Sequence, residues 1–154
     1  MFSATHSVLV IFLIFKGTNG DSVNQTEGPV TGSKGSPRTL HCTYQTSDSN
    51  PYLFWYVQYL NKAPQLLLKG SKASQRAKHQ GFQATLVTSD SSFHLQKPSL
   101  QASNSAVYYC ALSRGPGRNY GLIFGRGTRL VVHPYIQNPD PAVYLLRSPK
   151  SSKG

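Results

Sequence analysis

A chain of 154 residues has room for one domain of ordinary size plus short extras. Thirteen Gly, ten Pro, nine Tyr and seven Phe suit an all-β domain with many turns and large aromatic faces better than a helical one. Sixteen basic residues against five acidic give +11, yet no basic residues are adjacent and the acidic ones stand apart, so neither nucleic-acid binding nor acid–base catalysis is indicated.

In chain order, Val8 to Phe15 is an apolar run followed by Lys16-Gly17-Thr18-Asn19-Gly20. It is too short for a membrane span of about twenty residues. It reads as a secretory signal peptide over residues 1–20, cut near Gly20, with His6 in place of the usual positive charge before the run. Entry into the secretory pathway makes Asn24, in Asn24-Gln25-Thr26, a candidate glycosylation site. No other N-x-S/T triplet has a permitted middle residue.

The domain itself is expected over 21–133. Ser22 to Gly35 predicts an edge strand, with Pro29 tolerated there because an edge leaves some N–H groups unpaired. Arg38 to Tyr44 alternates and predicts one half-buried strand with Leu40, Cys42 and Tyr44 inward. The polar stretch 45–52 is a loop. Leu53 to Leu60 alternates again, but both faces carry aromatics: Trp55 on one, Phe54 and Tyr56 on the other. A strand with one wet face has no use for the second set, so that face is expected to meet another chain.

After a turn at Asn61-Lys62-Ala63-Pro64 comes a short strand, Gln65 to Lys69, and a polar exposed loop, Gly70 to Gln80. Phe82 to Val87 and Ser92 to Gln96 flank Ser89-Asp90-Ser91 as a hairpin. A helical turn is expected at Lys97 to Gln101, then a strand from Ser105 to Ala111. A third loop, Leu112 to Tyr120, leads to a last strand, Leu122 to Val132.

Cys42 and Cys110 are the only cysteines, and Trp55 is the only tryptophan. A Cys, a Trp shortly after it, and a Tyr two residues before a second Cys (here Tyr108) is the spacing of an immunoglobulin-type sandwich. In that fold the cysteines bridge opposite sheets, the indole covers the bridge, and the tyrosine hydroxyl turns back onto upstream backbone. Such a bridge would close a loop of about 68 residues, stabilising by roughly 4 kcal/mol in the chain-entropy model.

The pieces together resemble the variable domain of a T-cell receptor alpha chain. The resemblance is carried by C-T-Y at 42–44, L-F-W-Y-V-Q-Y at 53–59, L-L-L-K at 66–69, S-F-H-L at 92–95, S-A-V-Y-Y-C-A-L at 105–112 and F-G-R-G-T-R-L-V-V at 124–132. Residues 120–133 match a joining segment, and Y-I-Q-N-P-D-P-A-V-Y at 135–144 resembles the opening of that chain's constant region, so 134–154 reads as a constant region cut short. The resemblance implies a two-sheet Greek-key sandwich of variable type with a Cys42–Cys110 disulfide and Trp55, Tyr108 and Leu95 in the core.

It further implies three antigen-binding loops near 46–52, 70–76 and 111–123. Thr46, Ser47, Asp48, Ser49, Asn50 and Tyr52 belong to the first, and Ser71, Lys72, Ser74 and Arg76 to the second. The third holds Ser113, Arg114, Gly115, Pro116, Gly117, Arg118, Asn119 and Tyr120. Lys72, Arg76, Arg114 and Arg118 make that end basic, so a bound peptide is expected to present an acidic or strongly polar group. A T-cell receptor beta chain is expected on the outer face, against Tyr56, Gln58, Pro64, Leu66, Tyr109 and Phe124. The ligand implied is a peptide held by a major histocompatibility protein, at the plasma membrane, with signalling subunits engaged through parts outside this chain. Gly125 and Gly127 are expected to form a bulge in the last strand. Asn104 departs from the family's usual Asp and forgoes a charge-assisted bond.

No cofactor is implied. His41, His79, His94 and His133 are isolated in sequence, and both cysteines are assigned to the bridge, so no metal site is expected. Gly125-Arg126-Gly127 lacks the third glycine and the helix of a dinucleotide fingerprint. The competing function, a stand-alone immunoglobulin-type adhesion or ligand-binding module, predicts a polar outer face on the Trp55 strand.

Overall fold

The structure, a computed structural model, describes residues 20–113 and 121–134. The leader reading over 1–19, the third-loop residues 114–120 and the constant-region reading over 135–154 lie outside them.

Among the described residues, twelve strands form two sheets. The first sheet holds β1 (Ser22–Gln25), β4 (Cys42–Gln45), β9 (Ser92–Lys97), β8 (Phe82–Val87) and β7 (Arg76–His79) in that order, with β3 (Arg38–Leu40) also paired to β9. The second holds β2 (Val30–Ser33), β12 (Thr128–His133), β10 (Ala106–Ser113), β5 (Leu53–Gln58) and β6 (Gln65–Gly70), with β11 (Leu122–Phe124) also paired to β10. All pairs are antiparallel except β12 with β2. The sandwich expected from the cysteine and tryptophan spacing is the fold observed.

Its core follows from alternation. Leu53, Trp55 and Val57 of β5, Phe93 and Leu95 of β9, and Tyr108 and Cys110 of β10 are fully buried between the sheets. The Cys42–Cys110 disulfide joins β4 to β10 across the layers. The Trp55 indole N–H finds a partner in the Phe93 carbonyl at 2.8 Å, so its ring is buried without an orphaned donor. The Tyr108 hydroxyl donates to the Asn104 carbonyl at 2.6 Å, the upstream turn-back expected of it. Burial pushes that phenol well above its usual pKa, with Tyr59 adding to the effect.

Five local expectations are corrected. The single edge strand over 22–35 is two strands, β1 in the first sheet and β2 in the second. Gly28, with φ of 73°, and Pro29 stand between them, where the chain crosses from layer to layer. The strand over 38–44 is interrupted at His41, because the Cys42 N–H turns to the His94 ring and leaves the ladder there. The loop expected over 70–80 ends at Gln75. Arg76 to His79 forms β7, closed onto β8 by a tight turn in which Gln80 and Gly81 both take positive φ. Only Ala77 of β7 packs on the core, so the strand carried no apolar alternation to reveal it.

The helical turn expected at 97–101 lies later, at Ala102–Asn104. Leu100 is pinned in place instead: its N–H meets the Ser36 carbonyl and its carbonyl meets the Gly35 N–H, while its side chain is buried. Asn104 closes the turn by accepting the Gln101 N–H on Oδ1 at 2.8 Å, a bond its neutral amide makes without any charge. Finally, the last strand is two, β11 and β12. Ala111 faces Phe124 and Tyr108 faces Thr128, so residues 109–110 of β10 oppose residues 125–127. That is the expected bulge, one residue longer on the glycine side. Gly127 sits at φ 90° against the Tyr109 ring, and a Cβ on Gly125 would collide with the Gln25 side chain.

Candidate binding surfaces

Two surfaces of the second sheet are built by strand register. The first is its outer face. Residues 54, 56 and 58 of β5 alternate away from the core and are partly exposed. Tyr56 lies directly opposite Tyr109 of β10 on one side and Leu66 of β6 on the other. The Phe124 ring packs at 5.4 Å from Tyr56 and edge-on at 6.5 Å from Tyr109, while Phe54 lies 6.4 Å from Tyr56. Phe124 and Leu66 are each about half exposed, 48% and 49%. Gln58 sits beside this cluster, accepting from the Tyr109 hydroxyl at 3.4 Å and donating to the Lys62 carbonyl at 3.1 Å. Pro64, just before β6, is exposed. All six residues expected at a partner interface are thus on the surface, and Tyr56, Leu66, Tyr109 and Phe124 adjoin one another. Partly exposed aromatic side chains of this kind are enriched in protein–protein contacts relative to the rest of a surface.

The second surface is one end of the sandwich. Leu53 is in register with Gly70 on one flank and Leu112 on the other. The segment before Leu53 and the segment after Gly70 therefore leave the sheet at the same end, where Ser113, the last residue of β10, also lies. In the first, an Asp48 carboxylate accepts the Asn50 N–H at 2.9 Å and the Thr46 hydroxyl accepts the Asp48 N–H at 3.1 Å, so two short side-chain turns set the loop's shape. In the second, Ser71 and Ser74 exchange backbone hydrogen bonds at 3.0 and 3.1 Å, which leaves Lys72 and Ser74 exposed at the tip. Arg76 is exposed too, but on β7 rather than on the loop.

Ser113 is not on an exposed loop. It is the last residue of β10, buried, with its N–H on the Tyr52 carbonyl at 2.9 Å and Leu122 opposite it. The first loop is thereby tied to the root of the third. Arg114, Gly115, Pro116, Gly117, Arg118, Asn119 and Tyr120 lie outside the described residues.

Two features escaped the sequence. Gln25, read only as the middle of a glycosylation triplet, reaches from β1 to β10: its Nε2 donates to the Tyr108 carbonyl at 2.9 Å and its Oε1 accepts the Cys110 and Gly127 N–H groups at 3.1 and 3.0 Å. And the histidines are not all isolated in space. His41 and His94, 53 positions apart in sequence, stack edge to face with ring centres 4.8 Å apart. Burial, together with His41, lowers the His94 pKa, while Asp90 opposes the shift. Among the described residues, no group of three or more His, Cys, Asp or Glu is arranged to hold a metal.

Residues 25–133 match the family model of the immunoglobulin V-set domain. The chain is 59% identical over 134 residues to T-cell receptor alpha chain V region RL-5 of Oryctolagus cuniculus, a match covering 86% of this chain and 98% of that one. To T-cell receptor alpha chain V region CTL-F3 of Mus musculus it is 58% identical over 130 residues, 84% of this chain and 96% of that one. To the T cell receptor alpha chain MC.7.G5 of Homo sapiens it is 38% identical over 145 residues, 94% of this chain but 52% of that longer one.

Proposed function

The chain belongs to the T-cell receptor alpha V regions of the immunoglobulin V-set family, and from that membership we propose that it recognises peptide displayed by a major histocompatibility protein while paired with a beta chain. It is an antigen-receptor domain and not an enzyme. The observation that carries the pairing is the outer face of the second sheet, where half-exposed Phe124 and Leu66 adjoin the partly exposed rings of Tyr56 and Tyr109. Covering such a cluster removes apolar area from water, and the glutamine at its edge offers a directional bond to a matching group. A stand-alone module would gain nothing from an aromatic face there.

The three loop segments at the shared end supply the recognition surface in this reading. Short polar residues held in local turns beside Tyr52 give a shaped, adaptable surface, and Lys72 with Arg114 and Arg118 would favour an acidic or strongly polar ligand group. The secretory leader over 1–20, a constant region beginning near 134, display at the plasma membrane and contact with signalling subunits complete the proposal.

The test is co-expression of the chain with candidate beta chains, followed by binding to panels of peptide-loaded histocompatibility molecules. A chain that folds alone, stays monomeric with every beta chain and keeps its aromatic face open would overturn the pairing.

A further inference from the structure

The triplet Asn24-Gln25-Thr26 is split by the fold into residues with separate tasks. Val23 packs against the core and Gln25 reaches toward β10, so alternation along β1 turns Asn24 to the outer side of the first sheet, where it is exposed. Thr43, its register partner on β4, is exposed as well. β1 is the end strand in its sheet's order, so the neighbourhood of Asn24 is open on one flank among the described residues. The other two members have structural work of their own. Gln25 holds β10, and Thr26 accepts the Thr128 hydroxyl on its carbonyl at 2.8 Å. Among the described residues the Asn24 carboxamide bonds to nothing.

We propose that Asn24 carries an N-linked oligosaccharide, and that the sugar stands on the outer side of the first sheet, away from the Tyr56–Tyr109–Phe124 cluster on the outer side of the second. The position therefore tolerates a bulky, hydrated group without blocking the pairing face. In the transfer, Nδ2 of Asn24 forms a bond to the anomeric carbon of the sugar. The bond that breaks joins that carbon to the diphosphate of a polyprenyl-diphosphate-linked oligosaccharide, which leaves as the diphosphate while the amide gives up one proton. Nothing is oxidised or reduced. The proposal rests on the secretory reading above.

The experiment expresses the full chain in mammalian cells with a beta chain, and compares masses before and after peptide N-glycosidase. The wild type and Thr26→Ser should each lose one oligosaccharide, while Asn24→Gln and Thr26→Ala should lose none. Thiol alkylation of the same sample reads the Cys42–Cys110 bond. An oxidised but unglycosylated chain overturns the site alone; a reduced and unglycosylated chain overturns the secretory reading and the site with it. A sugar persisting in Asn24→Gln overturns the assignment to this residue. Beta-chain recovery should be equal for wild type and Asn24→Gln, and poorer recovery of the glycosylated form would overturn the placement away from the pairing face.

Discussion

Gln25 of the first sheet accepts the backbone N–H of Cys110 of the second at 3.1 Å, beside the disulfide that joins the same two layers. Its carboxamide serves three backbone groups at once, because the bulge at 125–127 leaves the Cys110 and Gly127 N–H groups without ladder partners. A glutamine is long enough to cross the gap and has both an acceptor and a donor to offer.

Replacing Gln25 with Ala should therefore cost about 2–3 kcal/mol, since partly buried N–H groups lose their acceptor. Equilibrium unfolding in urea measures it. A loss under about 0.5 kcal/mol, the size of an ordinary surface change, would show that water replaces the amide freely.

Tyr108→Phe removes one buried hydrogen bond, 2.6 Å to the Asn104 carbonyl, and leaves the ring against Phe82. The expected loss is about 1–2 kcal/mol with the disulfide intact. Thermal unfolding of the oxidised protein checks it, and no change would mean the Asn104 carbonyl is satisfied another way.

His94 gives a pH dependence whose sign can be worked out. Its Nδ1 accepts the Cys42 N–H at 3.0 Å, which requires the ring to be neutral at that atom. Burial and the facing His41 lower its pKa, with Asp90 the one facing charge that opposes them. The unfolded chain, with an ordinary imidazole near 6.5, then binds the proton more readily than the folded one. Stability should be fully present above about pH 6.5 and fall as pH drops toward the lower folded value. His94→Phe should flatten that slope between about pH 7.5 and 5. An unchanged slope in the variant would assign the pH dependence to other groups.

Phe124→Asp tests the pairing face. The ring is half exposed, so the isolated domain should stay folded. Placed inside an interface, an unpaired carboxylate should weaken association with a beta chain by about 2 kcal/mol or more. Titration of labelled beta chain against wild type and variant measures the difference, and equal affinity would move the interface elsewhere.

How much of this was legible beforehand depended on whether a residue's task is local. Leu53, Trp55 and Val57 declare their face by alternation with Phe54, Tyr56 and Gln58, and the same alternation puts Tyr108 on the buried face with Cys110, two residues on. Gly125 and Gly127 also announce a bulge by lacking Cβ, although the neighbours that crowd them, Gln25 and Tyr109, are supplied only by the fold. The family motifs rest on these same residues.

What only the tertiary structure decided are the pairings between distant segments whose local pattern is neutral. Arg76 to His79 looked like loop because an edge strand with one inward residue has almost nothing to alternate. The stretch from Ser22 to Gly35 hid its change of sheet because each half pairs with a different partner, β4 and β12. Gln25 looked like an ordinary polar residue, for its partners lie more than 80 positions away. His41 and His94 became neighbours only when β4 and β9 came side by side. Side-chain alternation is a property of a few consecutive residues and can be read from them. Register and cross-layer hydrogen bonds are set by which strands meet, and that is decided by packing the whole core at once.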